Sequence, residues 1–184
     1  MPLNLNRQKR GRETEMPGIP QWDAQELDAS LVALWECLHA QARTMFLQHG
    51  SHLEILFLVG EDGSVQPQPI AEPMTREDVV QALREQIPGS NVYGLIHIGE
   101  AWVYMPKGKG DHTHKQLKLG EMAVSDLNAD DKSEVLMTSL LSRDGVHRAR
   151  LDEIVREEDK PARLGSLIQD NSPKFPLGNV FLPS

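Results

Sequence analysis

The sequence predicts an α+β domain, built as a single antiparallel sheet of about five strands with two helices on one face, and three observations lead there. Two stretches, residues 23–48 and 75–87, repeat apolar side chains at helical spacing, while the other ordered stretches are apolar or alternating runs of strand length. The elements follow in the order α-β-β-α-β-β-β, and their links are of hairpin type, which favours antiparallel pairing. The longest apolar run, residues 91–104, is rich in Val, Ile, Tyr and Trp and reads as the central strand.

Bulk composition sets the frame for these elements. A chain of 184 residues with 39% hydrophobic content suffices for one domain with a sizeable core. Its net charge of −8 argues against a surface made throughout for nucleic acid or acidic lipid. The single cysteine, Cys37, has no partner for an internal disulfide and points to a reducing, cytoplasmic setting. No apolar run reaches the length of a membrane span, and no apolar core follows the basic N-terminus, so neither anchor nor signal peptide is expected.

Residues 1–21 carry Arg7, Lys9, Arg10 and Arg12 but few large hydrophobes, and read as a flexible basic tail. The domain is expected over 22–170, with an extended Pro-rich tail over 171–184. The first helix opens with Asp23 as N-cap, Glu26 as its capping-box partner and a Trp22–Leu27 staple. Leu27, Leu31, Leu34, Trp35, Leu38, Ala42, Met45 and Phe46 form its apolar stripe, and Gly50 suits the left-handed stop. Strand 53–59 turns through Gly60-Glu61-Asp62-Gly63 into strand 64–71, which Pro67 and Pro69 assign to a sheet edge. Thr75 with Asp78 caps the second helix, whose inward residues are Val80, Leu83 and Ile87.

In the central strand, alternation places Ile96, Ile98, Glu100 and Trp102 on one face and Leu95, His97, Ala101 and Val103 on the other. Each face thus carries one titratable group, making Glu100 and His97 the candidate catalytic residues. Residues 105–131 read as a long irregular stretch, with Asp111, His112 and His114 as candidate ligands of a divalent metal. Its lysines, Lys107, Lys109, Lys115 and Lys118, read as a solvated basic loop, without aromatics for base stacking. Asp144-Gly145 joins strands 133–142 and 146–156. A two-residue turn there would set Leu140, Thr138 and Leu136 opposite Ala149, Leu151 and Glu153 on the core side, leaving Arg150 and Asp152 to solvent. A last short strand is expected over 163–168.

The element order resembles that of profilin-like and roadblock-type domains. A second likeness rests on His49-Gly50, Glu61-Asp62-Gly63, Gly99-Glu100-Ala101-Trp102, Ser142-Arg143-Asp144-Gly145 and Glu153-Ile154. Over residues 28–157 these look like a group of small bacterial proteins of unknown function, which implies no activity. A strand glutamate with His-x-His is similar to the JAB-type and RadC-like pattern, but the serine and aspartate of that pattern are missing downstream, so its roles are not carried over. The leading expectation is a non-enzymatic cytoplasmic module that self-associates or binds a protein partner. The alternatives are a metal-dependent hydrolase using Glu100 with His112 and His114, and a nucleic-acid accessory protein using the basic arm.

Overall fold

The structure is a computed structural model and describes residues 18–70, 75–104, 111–119, 121–170 and 181. Its centre is the strand anticipated from the apolar run: β3 (Val92–Val103) pairs with β1 (Ile55–Gly60) on one side and β4 (Ser133–Ser142) on the other. With β2 (Val65–Pro69), β5 (His147–Val155) and β6 (Arg163–Asp170) these make one six-stranded antiparallel sheet of order β2-β1-β3-β4-β5-β6. The fold class is that expected, and the elements follow in the expected order save for an additional short helix between β3 and β4. β6 is a full member of the sheet, which raises the count from about five to six.

β2 lies at the edge to which its prolines assigned it. Gly60 and Glu54 of the β1 side bond Ser64 and Ile70, so the even-numbered residues of β2 face β1 and Pro67 and Pro69 face outward. At those two positions the outer edge lacks the N–H groups with which a further strand would pair.

The two helices cover opposite faces, not the single face expected. Helix α1 (Leu27–His49) buries Leu31, Leu34, Trp35, Ala42 and Phe46 against Val59, Ile96, Ile98, Leu136, Leu140 and Ile154. Helix α2 (Arg76–Gln86) directs Val79 and Leu83, with Ile87 just beyond it, onto Leu56, Leu58, Leu95 and Leu141. Leu56 and Leu58 alternate with Phe57 and Val59, so the two sets point to opposite sides of β1. The physical reason lies in strands that are apolar on both faces, which need cover on both.

Two local departures position the rest. Val59 pairs with Gly94 but Gly60 pairs with Val92, leaving Tyr93 as the extra residue of a bulge. Tyr93 thereby joins the α1 core, and its hydroxyl donates to Asp28 of α1 at 2.5 Å. Next to it Gly94 leaves room for Leu31, since an added Cβ would stand 2.4 Å from Leu31 Cδ2. At the start of α1, Asp23 closes a turn ahead of the helix rather than capping it: its carboxylate accepts from Gln25 N–H and its carbonyl from Glu26 N–H. Trp22 packs, as Leu27 does, against the core beneath α1. Its ring lies against Gly63 and its Nε1 donates to Glu61 O at 2.9 Å, which draws the entering chain onto the β1–β2 hairpin.

The β4–β5 hairpin corrects the expected register. Leu141 pairs with His147 and Ser142 N–H bonds Val146 O at 2.9 Å, leaving a three-residue loop, 143–145, in which Gly145 takes a left-handed φ of 90°. Pairing accordingly runs Leu140 with Arg148, Thr138 with Arg150 and Leu136 with Asp152. One residue of slip turns all of β5 over, so Arg150 and Asp152 face α1 instead of solvent and Glu153 leaves that side.

Candidate functional site

Ionisable groups cluster at three places on the sheet, and each can be built from the strand that presents it. Glu100 lies on the α1 face of β3, just past the C-terminal end of that helix. Its Oε1 accepts from the backbone N–H of His52 at 2.5 Å and its Oε2 from Arg156 at 2.9 Å. Arg156 also donates to both carboxylate oxygens of Glu134, at 2.9 Å each, and to Gly50 O at 2.8 Å. One guanidinium thus fastens the C-cap of α1 to β3 and β4, and these two carboxylates raise its pKa, Glu134 contributing most. Beside this network Trp102 is 52% exposed, with Lys132 Nζ 5.2 Å from its ring centre.

His97 lies on the other face of β3. Its Nε2 is 2.8 Å from Glu54 Oε1, and this hydrogen bond holds the Glu54 carboxyl below its usual range against the opposing effect of burial. Ser139 is its cross-strand partner, so carboxylate, imidazole and hydroxyl follow one another on one face. Nevertheless His97 Nδ1 and Ser139 Oγ are buried without a hydrogen bond, and so do not bond each other. The array contains the residue types of an activated serine without the base-to-nucleophile contact that activation requires.

The third cluster is the one that the expected hairpin register hid. On α1, His39 and Arg43 are four residues apart and share one helical face, which meets Thr138 of β4 and Asp152 of β5. His39 Nδ1 is 2.9 Å from Thr138 Oγ1 and its Nε2 is 3.4 Å from Asp152 Oδ2, while Arg43 donates to Asp152 Oδ1. Arg150 stacks on Trp35, 4.8 Å from the ring centre, and bonds Glu36 at 3.0 Å.

Hydroxyl, imidazole and carboxylate here stand in the order of a nucleophilic relay. Three facts weigh against that use. Thr138 and Asp152 are each 0% exposed, so no substrate reaches them in this conformation. Burial, with the charges of Arg150 and Arg43, lowers the His39 pKa to about 4. An imidazole so weakly basic is far from the pKa that suits general-base work at neutral pH. Arg43 meanwhile engages the carboxylate that would have to steady an imidazolium. The cluster is best described as a polar tie between α1 and the sheet.

The candidate metal ligands are placed differently from the loop expected for them. Asp111 accepts from Tyr104 Oη at 2.6 Å and from His114 N–H at 3.1 Å, and its carbonyl accepts from Lys115 N–H at 3.2 Å. These bonds begin helix α3 (His112–Leu119), and two single-turn 3₁₀ helices follow within the stretch expected to be irregular. Positions two apart on a helix point in widely different directions, so His112 and His114 do not share a face. Among the described residues no group of three or more His, Cys, Asp or Glu side chains is placed to hold a metal ion. Glu100 is engaged by Arg156 and His52, apart from these histidines. Lys107 and Lys109 lie outside the described residues, as do the basic arm of Arg7 to Arg12 and nearly all of the expected C-terminal tail.

Sequence reasoning singled out Glu100 and His97 but passed over His39, Arg43, Thr138 and Asp152. The available signal was His39, which interrupts the inward stripe of α1 between Leu38 and Ala42, with Arg43 four residues further on along the same face. No protein-family model matches the chain, and no curated protein or solved structure gives a significant match. No activity or partner can therefore be carried over from a relative.

Proposed function

We propose that this protein is a cytoplasmic, non-catalytic module that works by contact with another protein chain. One contrast carries the reading. The ionisable side chains that the sheet traps each have a partner within the fold, Glu100 in Arg156 and His52, His97 in Glu54, and Asp152 in Arg43, whereas Trp102 stands half exposed at the end of the central strand. Exposed tryptophans beside fixed charged groups are typical anchors of protein interfaces, because a rigid ring supplies much contact area at low entropic cost. No helix among the described residues is long and apolar enough to cross a membrane, in keeping with a protein that works in the aqueous phase.

The test is site-specific photo-cross-linking in cells that make the full chain. With a photoreactive residue replacing Trp102, a covalent adduct of higher mass is expected, and the same residue at Val65, at the far end of the sheet, serves as control. Absence of any adduct specific to position 102 would overturn the contact reading.

A further inference from the structure

We infer that the Trp102 end of the sheet is the site at which a second copy of this chain docks, an assignment that rests on the contact reading above and names its partner. The surface begins with two apolar side chains. Trp102 is 52% and Leu53 77% exposed. Ile55 pairs with Ile98, so carrying that register two residues further sets Leu53 level with Glu100, one position short of Trp102 on the same face. The backbone at Leu53 is held from both sides, by His52 N–H on Glu100 and by the Ile70 N–H on Glu54 O at 3.0 Å.

Around these two lie Glu100, Glu134, Lys132 and Arg156, two acids and two bases. In a chain of net charge −8 this patch is neutral, so the general repulsion between copies is absent where they would touch. Mixed charge also suits a twofold contact, in which one patch meets itself and each cation can face a carboxylate of the other copy. A dedicated partner for an acidic protein would more simply be met by a patch of single sign, which this surface does not have. The network is fixed beforehand as well: Arg156 makes four hydrogen bonds, to Glu100, Glu134 and Gly50, so ordering it on association costs little.

Sedimentation velocity over a concentration series of the full chain tests this. The parent is expected to pass from the 20.6 kDa monomer to twice that mass as concentration rises. Trp102→Ala should weaken the association at least about tenfold, as loss of an interface anchor does, and Lys132→Glu should weaken it independently by upsetting the charge balance. Val65→Ala should leave it unchanged. A parent that stays monomeric at every concentration would overturn the second copy as occupant, and the cross-linking experiment then judges the contact reading by itself. A dimer indifferent to both Trp102→Ala and Lys132→Glu would overturn the site.

Discussion

Replacing Asp152 by asparagine probes the polar tie beneath α1 most directly. The substitution keeps the shape of a side chain that is 0% exposed and removes its charge. It weakens the bond from Arg43 to a neutral one and leaves the Nε2 of His39 facing an amide. A hydrogen bond to a charged group contributes about 1.5–3 kcal/mol. Stranding a fully buried partner would cost more, about 3–5 kcal/mol, but the Arg43 side chain is 36% exposed and can turn to water. We therefore expect a loss of about 2 kcal/mol, which in a domain of this size lowers Tm by roughly 4–8 °C. Urea melts followed by far-UV circular dichroism at pH 7 would measure it. A double-mutant cycle with Arg43→Met should return most of the loss as coupling, since the two side chains touch. An unchanged or raised midpoint would refute the reasoning. It would mean that the carboxylate is held at a cost in stability, as functional groups often are, and would return Thr138, His39 and Asp152 to consideration as a working relay.

Two further outcomes follow from the same geometry. Glu100→Gln should cost only about 1 kcal/mol in the same melts, because both partners are partly open to solvent and Arg156 keeps Glu134 and Gly50; a loss as large as that of Asp152→Asn would show the pair to be shielded in solution. His39 is lowered in the folded chain from 6.5 to about 4, so below pH 6.5 the unfolded state binds a proton that the native state refuses. Stability contributed by the neutral imidazole is thus complete above about 6.5 and falls as pH drops toward 4, by roughly 3 kcal/mol over the interval, and His39→Gln should remove that part of the acid slope; parallel pH profiles for parent and variant would disprove it.

How much of this was legible in the chain depends on the range of the interaction. Local signals were sufficient for the capping box of Thr75 with Asp78, for the left-handed stop at Gly50, and for the edge position of β2, because prolines and caps act on their own neighbours. The central strand and the antiparallel class were likewise written in the apolar runs. Asp23 misled because it satisfies a turn as readily as a helix start, and the docking of Trp22 on Gly63 decided between them.

The polar tie could not be read in advance, for a definite reason. Asp144-Gly145 announces a hairpin but not whether its loop holds two residues or three, and in a strand one residue is the difference between the two faces. With two, Asp152 is a solvated carboxylate; with three, it is buried beneath Arg43 and His39. The placement of the helices was undetermined in the same way, since an apolar stripe states that a helix must be covered but not from which side of the sheet. Taken alone, then, the sequence determined the two longer helices and the strands, which strand is central and which is an edge, but not the short helix α3. Register, facing and the meeting of side chains over a hundred residues apart, as with Arg43 and Asp152, were decided only by the tertiary structure, because they depend on how the whole sheet is covered and no local propensity encodes that.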